Sequence, residues 1–249
     1  MGKPWPNIHH WLVPQQPPRR RRTMALLTVL LLLGLGHTIV LRLLAWPLLA
    51  GDSPTACNYF CIHGGELGAD GFEPFDAAVA WHDKLEGRKI LLLVPHTSRI
   101  VEIGAVPSFE QTCRKELNKR GISSGKIRVI HSDASNVWEE AHAMADWLKE
   151  RPGETVVLAC SPFTSGRLRY VLNKVLGAAS ANRVQLATLP DPGCSPETWW
   201  RSRKGVKEFM YAWLELMYSW AHRNYARPNL PNAVEFQHDM RAKIGEAPR

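Results

Sequence analysis

The sequence predicts an α/β fold, a three-layer domain built on a mostly parallel sheet and preceded by one N-terminal transmembrane helix. Two observations predict the domain. Five short apolar runs of strand length recur along the chain, and segments with helical periodicity and helix stop signals lie between them. Strands alternating with helices of this length imply crossover units, hence a parallel sheet covered on both faces. The third observation is an uncharged run near the N-terminus.

That run, "MALLTVLLLLGLGHTIVL", covers Met24 to Leu41, and at 1.5 Å per residue it matches roughly the 30 Å hydrocarbon core of a bilayer. Arg42 can snorkel at its far end, and Trp46 with Pro47 reads as an interface anchor and helix stop. The expected span is therefore residues 24–46. A cleaved signal peptide is the competing reading. The run is longer than the usual apolar core of about 7 to 15 residues, and Leu48 stands where a cleavage site wants a small side chain, so an uncleaved anchor is favoured. Before it, residues 1–23 form a Pro- and Gln-rich basic tail expected to be disordered. Arg19 to Arg22 place that tail in the cytoplasm and everything after residue 50 outside it, which implies a single-pass protein of the cell inner membrane.

Charge points the same way. The 249 residues carry a formal net charge of +8. Six of those charges, Lys3, Arg19, Arg20, Arg21, Arg22 and Arg42, lie in residues 1–50, which hold no Asp or Glu. The nearly neutral remainder lacks the clustered basic face that phosphate-backbone binding needs, so no nucleic-acid partner is expected.

The strand candidates are residues 58–63, 89–94, 127–131, 155–160 and 184–189. Several are almost continuously apolar, as strands buried on both faces should be. The first helical pattern, "PFDAAVAWHDKLEG", offers Phe75, Val79 and Trp81 to a core. In the second, "PSFEQTCRKELNKRG", Ser108 and Gln111 form a capping box and Gly121 is the stop. Asn136 and Glu139 occupy cap positions of "NVWEEAHAMADWLKERPG", which ends at Pro152-Gly153. The fourth, "SGRLRYVLNKVLG", stops at Gly177. A last long helix, "WWRSRKGVKEFMYAWLELMYSWAHR", is rich in aromatics. The domain is expected over residues 57–222, with 223–249 as a C-terminal tail.

The five cysteines, Cys57, Cys61, Cys113, Cys160 and Cys194, show no C-x-x-C pair and no zinc-type spacing, so no metal site is expected. Cys61, Cys113 and Cys160 sit in apolar segments and read as small buried hydrophobes. No motif identifies a cofactor.

In an open parallel sheet ligands bind beyond the carboxyl ends of the strands, and here those ends are polar. The first strand runs into His63-Gly64-Gly65-Glu66, the third into Ser132-Asp133-Ala134-Ser135-Asn136, and the fourth into Ser161-Pro162-Phe163-Thr164-Ser165-Gly166-Arg167. Gly64 and Gly65 would let a ligand approach the backbone closely. Ser135, Asn136, Ser161, Thr164 and Ser165 offer hydroxyls and an amide, and the helix start offers backbone N–H groups and a positive dipole end to an anion. Those same turn residues would equally make an ordinary helix cap. A cation in the first turn of a helix opposes the dipole, so Arg167 there fits an anionic ligand. Glu139 could meet the ligand or Arg167, or cap beside Asn136. His63 and Asp133 are the candidate acid–base groups. Ser161 and Ser165 lack the G-x-S-x-G elbow of a hydrolase triad.

These residues resemble a known family. A first strand ending in Gly-Gly, "SNVWEEA" entering a helix, a strand ending "CSPFTSGRLRYVL", and the closing "WWRSRKGVKEFMYAWLELMYSW" together are similar to the YdcF/SanA/ElyC-like proteins, domain of unknown function 218. The resemblance covers about residues 57–221. It implies a Rossmann-like domain behind one membrane helix, with a role in bacterial envelope or cell-wall precursor metabolism. Carried over, the Gly-rich loop falls on Gly64 and Gly65 with Glu66 beside it. The helix entry falls on Asn136, Glu139 and Glu140, and the strand-four serine and following arginine on Ser161 and Arg167. Family members usually have Thr at the place of Val137 and His at that of Thr164. A charged pair is common on the last helix, where this chain has Ala212 and Glu215. Losing the histidine removes a proton-transfer group, so binding of a small anionic or nucleotide-like metabolite is expected to outlast catalysis. If the chain is an enzyme, the implied reaction is hydrolysis or transfer on a phosphorylated or lipid-linked precursor. The alternative is a non-catalytic scaffold that recruits envelope partners through the Trp-rich last helix.

Overall fold

In a computed structural model of the chain, the described residues are 36–54, 57–63, 73–84, 89–97, 99–132, 134, 136–191, 193–222 and 225, together with Met24, Thr28 and Gly34. The chain divides into two units, Met1–Leu44 and Ala45–Arg249. Of the first unit, residues 36–44 are helical. Most of the expected span 24–46 lies outside the described residues, and among those that are described no helix is long and apolar enough to cross a membrane.

The second unit holds five strands, β1 (Tyr59–His63), β2 (Lys89–Val94), β3 (Ile127–His131), β4 (Val156–Cys160) and β5 (Val184–Thr188). They form one sheet in the order β3-β2-β1-β4-β5, and every neighbouring pair is parallel. The order reverses between β1 and β4, the two strands from which the sheet is built outward in opposite directions. The helices are α1 (Glu73–Lys84), α2 (Arg99–Glu102), α3 (Phe109–Lys119), α4 (Val137–Lys149), α5 (Ser165–Ala181) and α6 (Arg203–Ala221), with short 3-10 turns at Trp46–Leu48, Ser124–Lys126 and Trp199–Arg201.

Side-chain alternation along the strands sorts the helices into two layers. Tyr59, Cys61, Leu91, Leu93 and Leu158 face one way and pack on Trp138, Met144 and Leu148 of α4 and Leu168 and Leu172 of α5. Their neighbours Phe60, Ile62, Ile90, Leu92 and Val157 face the other way, onto Phe75 of α1 and Cys113 and Leu117 of α3. The central strands β1 and β4 are buried throughout, whereas the edge strands β3 and β5 are buried only in part. A near-continuous apolar run is what burial on both faces demands; each fully buried Leu or Ile contributes roughly 1.5–3 kcal/mol.

The helix boundaries follow local chemistry. Ser108 and Gln111 make the reciprocal capping box of α3, and Asn136 Oδ1 accepts from the N–H groups of Trp138 and Glu139 to start α4. Gly177, at φ 70°, breaks helical geometry inside α5 where the sequence places a stop, and the chain resumes helical turns to Ala181. The expected last helix is two elements. Ser202 interrupts it, its Oγ accepting from the N–H of Gly205 to begin α6 afresh after the Trp199–Arg201 turn.

Candidate functional site

The candidate site lies where β1 and β4 end side by side, flanked by the first turns of α4 and α5. His63 closes β1 on the α4–α5 face, buried, with its Nδ1 3.3 Å from Glu140 Oε2 of α4. Beneath the pair is a small cavity of about 10 Å³, room for about one water. His63 and Glu140 are its polar lining; Leu93, Leu158, Val137 and Leu168 are among its apolar walls. Val137 and Leu168 stand in the first turns of α4 and α5, next in sequence to Asn136 and Arg167. The cavity thus joins the two helix starts that the sequence singles out.

At the start of α4, Asn136 caps the helix through Oδ1 and donates from Nδ2 to the Tyr225 hydroxyl at 3.2 Å. That hydroxyl donates to Glu139 Oε1 at 2.7 Å, and the Tyr225 ring stacks on Trp138. Glu139 therefore serves Tyr225, a residue assigned by sequence to the C-terminal tail but packed on the domain. Burial is the first cause raising the Tyr225 pKa, and the bond to Glu139 adds to it.

At the start of α5, Ser161 and Thr164 hydroxyls stand 3.2 Å apart, and Thr164 also donates to the Ser161 carbonyl. Thr164 occupies the N-cap position without capping. Arg167 forms an ion pair through Nη1 with Glu215 of α6, while its Nε is buried without a hydrogen-bond partner among the described residues. Glu215 was noted in the sequence only as a departure from the family's charged pair. A contact this distant in sequence leaves no local signal.

Two residues of the turn differ from expectation. Ser165 is fully buried. Its hydroxyl donates to Pro162 O at 2.6 Å and Leu48 O at 3.2 Å and accepts from Ala50 N–H at 2.9 Å. Gly166 lies so close to Pro47 and Leu48 that a Cβ there would overlap the Pro47 carbonyl and come within 2.8 Å of Leu48 Cα. Ser165 thus spends its hydroxyl on the chain itself, and with Gly166 it holds the segment that follows the apolar run. A serine and a glycine suit a close backbone approach as well as they suit an anion, which is why sequence alone pointed to the latter.

Gly64, Gly65, Glu66, Asp133 and Ser135 lie outside the described residues. Among the described residues no cluster of His, Cys, Asp or Glu could hold a metal ion. None of the five cysteines is joined in a disulfide. Burial pushes the thiol of Cys113 up to about 12 and that of Cys194 up to about 11, nearby carboxylates adding to it; Cys61 is pushed higher still by burial. Such thiols pack and do not attack. Comparison of the chain with family models, with curated proteins and with solved structures returns no match.

Proposed function

We propose that this chain is a membrane-anchored, extracytoplasmic domain that binds a small anionic or nucleotide-like metabolite at the β1–β4 crevice. The resemblance of its motifs to YdcF/SanA/ElyC-like proteins puts that metabolite in bacterial envelope metabolism. The observation that carries the reading is the strand order. It makes β1–β4 the switch point of the sheet, the place where parallel α/β folds leave a crevice for ligands. Arg167 stands at the start of α5 beside that crevice, and its Nε–H is a donor with capacity left for an anion. The Glu215 carboxylate on the same guanidinium then acts as an internal counter-ion that a ligand oxygen can join or displace.

The chemistry such a site would support is hydrolysis or transfer on a phosphorylated or lipid-linked precursor. His63 is the group to take up the proton. The Glu140 carboxylate 3.3 Å from Nδ1 would favour a proton on that nitrogen and so leave Nε2 to act as the base. Asp133 is the other candidate base from the sequence.

Thermal unfolding of the full chain in detergent, with and without nucleoside diphosphates and sugar phosphates, tests the reading. At least one class should raise the melting temperature. Arg167→Lys should weaken that ligand nearly as much as Arg167→Ala, by about 1.5–3 kcal/mol, because lysine lacks the planar fork. A different pattern would discard the reading: Arg167→Ala and Glu215→Ala lower the ligand-free stability equally and no anion shifts the wild type. Arg167 would then be a strut between α5 and α6.

A further inference from the structure

From Phe209 to its end, α6 is apolar on both sides. Inward it buries Phe209, Ala212 and Leu216, and outward it exposes Val206, Met210, Tyr211, Leu214, Met217 and Tyr218. Between Phe209 and Ala221 the single charged side chain is Glu215, which is paired with Arg167. A helix apolar all round belongs against a second apolar phase. The exposed residues recur at Val206, Met210, Leu214 and Met217, with Tyr211 and Tyr218 flanking them, so they form one stripe and not scattered contacts. Arg201, Arg203 and Lys207 are exposed at its N-terminal end, with one exposed acid, Glu208, beside them.

The chain's own covalent path identifies that phase. The Trp46–Leu48 turn packs against both α5 and α6, with Leu48 fully buried. The next residues are strapped down. Ser165 bonds Leu48 and Ala50, Asp52 N–H donates to Leu186 O at 2.8 Å, and Leu186 N–H donates to Asp52 Oδ2 at 2.7 Å. An Arg169–Asp52 ion pair closes the strap along the β5 edge. From Leu41, the end of the uncharged run, to the docked Ala45 is four residue steps, at most about 14 Å. Trp46 is 74% exposed beside that junction.

We propose that the outer face of α6 lies in the headgroup region of the bilayer from which the chain emerges, its apolar stripe immersed and Arg201, Arg203 and Lys207 on anionic headgroups. The proposal rests on the anchor reading of residues 24–46. An amphipathic surface helix buries its apolar face about 5–10 Å into the headgroup–acyl boundary, and Tyr and Trp favour that depth. Docked in this way, α6 would also fix the orientation of the β1–β4 crevice to the membrane, since Glu215 ties it to Arg167.

The test uses the full chain in vesicles of phosphatidylethanolamine and phosphatidylglycerol, with an environment-sensitive fluorescent amino acid placed singly at Met210, Leu214, Leu32 or Lys149. Emission from Met210 and Leu214 should shift to the blue and be lost when the acyl chains are brominated, with iodide in the buffer having little effect. Lys149, exposed on α4, should respond to iodide alone. Quenching by bromine at Leu32 but by iodide at Met210 and Leu214 overturns the α6 proposal and keeps the anchor. Iodide quenching at Leu32 as well overturns both. Protection of Met210 and Leu214 from both quenchers, with copies cross-linking through them, overturns it in favour of a second protein chain.

Discussion

Arg167 and His82 show how one side chain answers to its surroundings more than to its type. A cation at a helix start is unfavourable by itself, and Glu215 from another helix removes the conflict by supplying the negative charge. His82, in the last turn of α1, is buried with no partner on Nδ1 among the described residues. Burial holds its pKa below the usual histidine range, Asp83 pulling it back up and Lys126 pushing it further down. The folded state therefore binds this proton less readily than the unfolded chain. The stability contributed is fully present above the unfolded value near 6.5 and is lost as pH falls through the depressed folded value. His82→Gln should flatten the fall of the melting temperature between about pH 6.5 and 5. Parallel curves for wild type and variant would show that this histidine is not the group titrating.

Gly166 carries the equivalent lesson for elements, because the start of α5 is built around a foreign backbone. Its missing Cβ admits Pro47 and Leu48, and the adjacent Ser165 hydroxyl replaces the hydrogen bonds that the strap would otherwise make to water. The nearest neighbours of a new Cβ are backbone atoms of Pro47 and of the buried Leu48, and they have little room to yield. Gly166→Ala should therefore destabilise the domain by about 1–3 kcal/mol, a cost of overpacking, measurable as a lower thermal midpoint. By contrast Gly125, which has open space around it, should accept alanine with a change within about 0.5 kcal/mol. Equal effects at the two glycines would mean that the strap is not held as tightly as its contacts imply.

For the whole molecule the proposed anchor raises the question of which side of a membrane the sheet would occupy. On the proposed reading, the four arginines ahead of the apolar run would retain the N-terminus in the cytoplasm, so a reporter that works only outside the cytoplasm should be active when fused after Arg249. A silent reporter, with a cytoplasmic one active at the same position, reverses the orientation and moves the ligand from the envelope to the cell interior. The mature chain should keep its N-terminus; a new one near Gly51 would make the run a signal peptide. The strap bears on this too, since residues 47–52 are part of the folded unit and cleavage near Gly51 would cut into it.

Local pattern alone determined much of this protein. The five strands fall within a residue or so of their apolar runs, because burial writes itself as a short apolar run, nearly continuous in the inner strands β1, β2 and β4 and interrupted in the edge strands β3 and β5. The Ser108–Gln111 box, the Asn136 cap and the Gly177 break were legible because each is settled by backbone groups a few residues away. Of the candidate site residues, His63, Asn136, Glu139, Ser161, Thr164 and Arg167 all stand at the carboxyl end of the sheet. What each of them touches was decided only in three dimensions. Glu215 reaches Arg167, Tyr225 reaches Asn136 and Glu139, and Leu48 with Ala50 reaches Ser165, across separations that no periodicity encodes. Periodicity and capping are short-range consequences of backbone geometry, whereas a polar side chain's partner depends on which distant segment packing brings to it.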